Sequence, residues 1–203
     1  MSGAGLPKKV GGPGEASSPA LLPWRRSARR TLLHDRWIHL HADAYVTATG
    51  AMLDPWYMLQ PPDFVHVLAI TPDDRLVLVR QWRPGAGAAV LELPGGLMEP
   101  HEADPAAAGR RECLEETGHA APAYRTYLSL FPDPAHASNR IHFVLAERAE
   151  LVAPQRLDHG EDIVVELHPV AEVLAGLPHG MLLGASQVGA VLLGLREAGR
   201  IAW

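Results

Sequence analysis

The sequence predicts an α+β fold, with a small antiparallel sheet at its N-terminal side, a larger β-rich domain after it and helices that close the domain. Three observations carry this expectation. Apolar and polar residues alternate from Trp37 to Thr47, the period of a strand. Two apolar runs of strand length, Phe64 to Ile70 and Arg75 to Trp82, flank the turn-forming pair Asp73-Asp74, which reads as a hairpin. Asp104-Pro105 and Gly118 bracket the segment between them with the start and stop signals of a helix.

The elements follow in order. Residues 1–22 are dominated by Gly, Pro, Ser and Ala, a composition that buries too little surface to offset ordering, so a mobile tail is expected there. The basic cluster from Trp24 to Arg30 could meet an anionic partner, but short basic runs are more often solvated, and that is the reading preferred. In the first strand Ile38, Leu40, Ala42, Ala44 and Val46 fall on the buried side, and His39, His41, Asp43, Tyr45 and Thr47 on the exposed one. His39 and His41 could grip a metal from that face, yet no third ligand lies nearby in sequence, so solvated polar residues are the better reading. Gly50 turns the chain into a returning strand at Trp56 to Leu59, and Pro61-Pro62 ends it. The extension therefore spans residues 23–62 and the main domain residues 63–203. Pro84 and Gly85 close the hairpin's second strand. Further strands are expected at residues 124–131, 139–147 and 163–167, then a short helix near Val170 to Leu174. A last helix is expected from Ala185 to Glu197, with Val188, Val191, Leu192 and Leu195 on its packing stripe.

Bulk properties bound the function. With 203 residues, 47% of them hydrophobic, there is material for one sizeable core with a smaller addition. A net charge of −5 offers no broad cationic surface, so a nucleic-acid partner is not expected. No stretch is long and apolar enough to span a bilayer, and no compact apolar run follows Lys8 and Lys9, so neither a membrane nor a secretory leader is expected. The single cysteine, Cys113, suits a reducing cytoplasm, and it reads as a small buried residue rather than a nucleophile.

The chemistry concentrates in the predicted helix 105–117. Glu112, Glu115 and Glu116 stand at i, i+3 and i+4, so their carboxylates share one face. A glutamate face is usually solvated and stabilised by lysine or arginine partners a turn away, but here the lysine partners are missing. Crowded carboxylates are tolerable with divalent cations between them, and oxygen-rich sites suit Mg2+ or Mn2+. Before the helix, Leu91-Glu92-Leu93-Pro94-Gly95-Gly96 brings a strand to a diglycine turn at which backbone can approach a ligand.

Gly96, Glu102, Arg111-Glu112-Cys113-Leu114-Glu115-Glu116 and Gly118-His119 together resemble the Nudix box, G-x5-E-x7-R-E-U-x-E-E-x-G-U. Two positions depart from it. Eight residues, Ala103 to Arg110, separate Glu102 from Arg111 where the family has seven, and His119 replaces an aliphatic residue. The extra residue predicts a bulge before Asp104, and the Glu102–Arg111 orienting contact is the part of the motif it would disturb.

The resemblance implies an α/β/α sandwich of Nudix type, a mixed β-sheet flanked by helices. It also implies that Glu112 and Glu116 are the principal metal ligands, Glu115 a further or water-mediated one, the Gly95 carbonyl a backbone ligand and Arg111 the orienting residue. From residue 37 to residue 199 the layout is similar to ADP-ribose pyrophosphatase-like members of the family. That resemblance suggests Arg80 and Arg83, in Val79-Arg80-Gln81-Trp82-Arg83, as contacts for phosphate or terminal sugar, although Arg83 could equally be a solvated loop residue. Glu92 joins them as a candidate that touches the substrate or supports a residue that does. The loop Phe131 to Asn139, with Pro134 sixteen positions beyond Gly118, resembles the proline-bearing loop of ADP-ribose hydrolases. Trp56 and Tyr57 could stack on a base or simply pack in the core.

The acidic loop Asp158-His159-Gly160-Glu161-Asp162 is where related enzymes carry the base, with Glu161 the first choice as base or metal ligand and His159 and Asp162 behind it. The implied activity is Mg2+- or Mn2+-dependent hydrolysis of ADP-ribose or a related nucleoside diphosphate sugar. GDP-mannose or UDP-glucose hydrolysis, or a non-catalytic ligand-sensing role, are the alternatives. A homodimer is expected from the N-terminal strands together with the resemblance.

Overall fold

The computed structural model describes residues 21–35 and 38–203. The expected N-terminal tail lies outside the described residues for all but its last two positions.

Strands β1 (Arg25–His34), β2 (His39–Val46) and β3 (Met52–Leu59) form a three-stranded antiparallel sheet in the order β1-β2-β3. β1 is a strand not expected from the sequence, and its basic cluster stays exposed as expected except at Arg29, which is partly buried. Its Arg29 forks onto Asp43, with Nε to Oδ1 and Nη2 to Oδ2 both at 2.7 Å, while Arg26 stands 3.8 Å from the same carboxylate. The Asp43 side chain is fully buried, and His41, 8% exposed, faces Thr31 Oγ1 through its ring nitrogen. On the polar face of β2, His41 and Asp43 are thus buried, against the solvated reading, while His39 and Tyr45 stay partly exposed. Hydrogen bonding from Arg29 holds the Asp43 carboxyl below its usual range.

Asp43→Ala removes the carboxylate that Arg29 forks onto but leaves a guanidinium that is partly exposed and still bonded to Gln60, so it is expected to destabilise the protein by about 2 kcal/mol at pH 7, the loss of hydrogen bonds to a charged group. Because the folded-state pKa is depressed, this contribution is present above the ordinary aspartate value of 3.8 and fades as pH falls below it. Urea unfolding at pH 7 and pH 3 checks this, and an equal gap between wild type and variant at both pH values would contradict it.

The main sheet comprises β4 (Phe64–Ile70), β5 (Arg75–Arg83), β6 (Ala88–Glu92), β8 (Arg125–Leu130), β9 (Ile141–Glu147) and β11 (Ile163–Pro169). Its order is β11-β5-β4-β9-β8, with β6 continuing along β5. The sheet is mixed, since β4 and β9 run parallel while the other pairs are antiparallel. The expected hairpin is present as β4 and β5. A two-stranded ribbon pairs β7 (His119–Ala120) with β10 (Glu150–Leu151).

Helix α1 (Pro105–Thr117) packs Cys113 with Val67, Val77 and Val144. The opposite face of the sheet carries Leu68, Leu76, Leu78 and Phe143 against α2 (Val170–Gly176) and α3 (Ala185–Glu197). The period-2 alternation of β4 and β5 divides these two cores, and the result is the α/β/α sandwich. Cys113 is buried, its thiol pushed up to about 11 by desolvation. Among the described residues no helix is long and apolar enough to cross a membrane.

Candidate active site

The site begins where β6 ends. The Pro94 carbonyl accepts the Val67 N–H at 2.8 Å and the Gly96 carbonyl accepts the Val65 N–H at 2.9 Å, so the diglycine turn is fastened along β4. Gly95 has φ 155°, and a Cβ there would drive into the Val65 carbonyl. A Cβ on Gly96 would lie 2.6 Å from a Glu112 carboxylate oxygen. Both glycines are therefore required by close approach, one to backbone and the other to the acidic helix.

α1 starts as the sequence predicts, with Asp104 Oδ1 accepting the Ala106 N–H at 3.0 Å. It ends at Gly118, whose φ of 72° lets its N–H reach the Leu114 carbonyl at 2.9 Å. Between these caps the glutamates reach the turn. Glu116 Oε2 accepts the Gly95 N–H at 2.7 Å. Arg111 donates to Glu112 Oε1 at 2.6 Å and to Glu115 Oε2 at 3.2 Å. It also forks onto Glu102, with Nε to Oε1 and Nη2 to Oε2 both at 3.0 Å, and meets the Leu97 carbonyl at 3.1 Å. The orienting contact is thus made in spite of the extra residue. Glu102 is itself held in a turn, its carboxylate accepting the Glu99 N–H at 2.8 Å and its own N–H donating to the Glu99 carbonyl at 2.9 Å.

Burial sets the electrostatics. Desolvation pushes Glu116 up to about 8; the Gly95 N–H opposes this, and the Glu112 and Glu161 charges add to it. Glu112 is raised for the same first reason, with Arg111 pulling the other way. Hydrogen bonding to Glu102 holds the proton on Arg111 more firmly still.

Glu161 enters from the loop before β11, where its carboxylate accepts the Asp158 N–H at 2.8 Å. The cleft has two lobes that share Gly96, Leu97, Glu116 and Glu161. One, of about 360 Å³, adds Arg111, Glu112, Glu115, Arg156 and His159. The other, of about 550 Å³, adds Gly95, His66, Gln81, Arg83, Glu92 and Ser186 among its lining residues.

The donors offered here, Glu112, Glu115, Glu116, Glu161 and the Gly95 carbonyl, are all oxygens, which fits Mg2+ or Mn2+. Among the described residues no three acidic, histidine or cysteine side chains form a metal-holding group. Arg111 draws Glu112 and Glu115 toward itself, and Gly95 holds Glu116.

The substrate candidates divide. Arg83 and Glu92 line the larger lobe and bond each other, Nε to Oε2, at 2.7 Å. Arg80 is not brought to the cleft, a correction to its expected role. One step out of phase on β5, it forks onto Glu166 on β11 at 2.5 and 3.1 Å, and Glu166, bonded also to His168, is pulled down to about 2. Asp162 is exposed and does not line the cleft. Trp56 stacks on His136, with ring centroids 5.5 Å apart, and belongs to a separate cavity of about 420 Å³ shared with Trp24, Tyr45 and Pro134. Tyr57 is 52% exposed.

Sequence reasoning missed His66, Gln187 and Arg156. His66 is buried in the larger lobe, and desolvation pulls it down to about 4. Gln187 reaches from α3 to accept the Leu93 N–H at 2.8 Å just before the turn. A glutamine inside an otherwise apolar helical stripe was the only signal for it.

Comparison with known proteins places the chain in a family. The chain is 30% identical over 109 residues to an ADP-ribose pyrophosphatase of Bacillus subtilis (strain 168), a match covering 53% of this chain and 58% of that protein. It is 31% identical over 116 residues to a GDP-mannose pyrophosphatase of Citrobacter koseri, covering 52% of this chain and 58% of that protein. The match thus spans under two thirds of the length of these relatives. Its fold matches a crystal structure of an ADP compounds hydrolase with a TM-score of 0.79 at 23% identity, over 91% of this chain and 100% of the other. The NUDIX domain model matches residues 60–186, which take in the diglycine turn, the glutamate helix and the acidic loop, and the chain belongs to the NUDIX domain family.

Proposed function

We propose that the protein hydrolyses the pyrophosphate bond of ADP-ribose or a related nucleoside diphosphate sugar with Mg2+ or Mn2+, giving a nucleoside monophosphate and a sugar phosphate. The observation that carries this reading is that Glu112, Glu116, Glu161 and the diglycine turn border one cleft. A bound divalent ion would neutralise phosphate charge and acidify the attacking water. Glu112, Glu115, Glu116 and the Gly95 carbonyl are its proposed ligands, with Arg111 holding Glu112 and Glu115 in position. Glu161 is the proposed base, taking the proton of the attacking water as the bridging P–O bond breaks, and it can also serve as a ligand. Arg83 and Glu92 are assigned to the substrate's other half. The reading includes a cytoplasmic homodimer built through the N-terminal sheet, on which Leu32, Leu33 and Met52 are exposed. Light scattering tests that assembly.

The decisive experiment is a panel of ADP-ribose, GDP-mannose and UDP-glucose with Mg2+ or Mn2+, scored by release of monophosphate. ADP-ribose is expected to be the best substrate, EDTA to stop turnover, and Glu161→Gln to lower kcat by roughly 10²- to 10⁴-fold. Absence of turnover with every compound would overturn the proposal, while preference for GDP-mannose would move it to the substrate of the second relative.

A further inference from the structure

The segment between β10 and the acidic loop clasps the end of α1. The last carbonyls of a helix lack partners within it, and two of them belong here to Glu115 and Glu116. Gln155 Nε2 donates to the Glu116 carbonyl at 2.6 Å and to the Ile163 carbonyl at 3.2 Å. The Arg156 N–H donates to the Glu115 carbonyl at 2.8 Å. These bonds fix the backbone of Arg156 against the helix that carries the glutamates.

The side chain of Arg156 borders the smaller lobe of the cleft and is exposed. The other two arginines of the cleft are already engaged: Arg111 holds Glu102, Glu112 and Glu115, and Arg83 holds Glu92. The Arg156 guanidinium makes no hydrogen bond or ion pair among the described residues, although Glu99, Asp158 and Glu161 border the same lobe. A planar five-donor cation beside an acidic centre, backbone-fixed and without a partner, is matched to a phosphoryl oxygen.

We propose that Arg156 contacts the substrate, binding a phosphoryl oxygen of the diphosphate on the side of the cleft away from Arg83. This rests on the hydrolase reading above. The clasp through Gln155 and the Arg156 backbone acts as its positioning device, because it ties the cation to the same helix end as Glu115 and Glu116.

The test is steady-state kinetics of Arg156→Gln and Arg156→Lys on ADP-ribose with Mg2+, together with competitive inhibition by inorganic pyrophosphate. The backbone N–H survives both substitutions, so Tm is expected to stay at the wild-type value. Arg156→Gln is expected to lower kcat/KM by roughly 10- to 100-fold, the range for a hydrogen bond to a charged group, and to weaken pyrophosphate inhibition in parallel. Arg156→Lys is expected to recover part of both. A wild type that turns over ADP-ribose, with Arg156→Gln within twofold of it in kcat/KM and in pyrophosphate inhibition, would overturn the assignment of Arg156 alone. A wild type inert toward every diphosphate would overturn the hydrolase reading and this assignment with it.

Discussion

Glu116→Gln is expected to do two opposite things: to lower turnover by at least about 100-fold, and to make the metal-free protein more stable at pH 8.5. The activity loss follows from removing a charged oxygen at the centre of the proposed metal site, where even loss of an outer-shell partner costs about 10- to 100-fold. The stability gain follows from linkage. Glu116 is buried beside Glu112 and Glu161, and its pKa is raised from 4.5 to about 8. Between those values the folded protein keeps a proton that the unfolded chain releases, so stability falls as pH rises through the window and the full penalty applies above it. Glutamine carries no charge to desolvate, and its side-chain oxygen can still accept the Gly95 N–H. In EDTA the variant is expected to exceed wild type by on the order of a few kcal/mol at pH 8.5, with the gap closing toward pH 4.5. Thermal unfolding at pH 5 and pH 8.5 reads this directly. A gap that does not change with pH, or wild-type turnover by the variant, would contradict the electrostatic account of the site.

What could be read in the sequence was local and periodic. The glutamate helix was legible because its two ends, Asp104-Pro105 and Gly118, and the spacing of Glu112, Glu115 and Glu116 all lie within one short segment. The Glu102–Arg111 contact was misjudged as vulnerable because spacing alone does not say whether two side chains still meet across an extra residue, and here Arg111 forks onto Glu102 all the same. Strand β1 escaped notice because Arg25 to Arg30 has no apolar alternation. It is held by pairing along β2 and by the Arg29 bond to Asp43, which lies 14 residues further on and is visible only once the strands pair. Arg80 and Arg83 were grouped by nearness in sequence, whereas the alternation of β5 sends one to Glu166 and the other to the cleft. Gln155 and Arg156 act on the helix partly through a backbone N–H and carbonyls, groups that every residue has, so no pattern of side chains could announce them.

Gly95→Ala and Gly96→Ala, one residue apart, are expected to fail in different ways. At Gly95 the φ of 155° is a conformation that L residues avoid, and the added methyl would collide with the Val65 carbonyl and come within 2.9 Å of the His66 Cα. Neither obstacle can swing aside. The hydrogen bonds from Val65 to Gly96 and from Val67 to Pro94 hold turn and strand together on either side of the collision. Relief must come from moving the turn off β4, so Gly95→Ala is expected to cost about 3 kcal/mol or more and to abolish turnover. At Gly96 the three atoms nearest the methyl all belong to the Glu112 carboxylate, at 2.6 to 2.7 Å, the end of a flexible side chain that Arg111 holds at 2.6 Å. That side chain can rotate away without moving backbone, giving up its partly exposed ion pair with Arg111, but it then leaves the cleft that it shares with Glu116 and Glu161. Gly96→Ala is therefore expected to unfold within about 1 kcal/mol of wild type, the range of a modest rotamer adjustment, while losing most of its activity. Urea unfolding paired with turnover separates the two cases. A Gly96→Ala variant that keeps wild-type rates would mean that the chemistry does not need Glu112 where the turn now holds it, and the assignment of Glu112 as a metal ligand would have to be withdrawn.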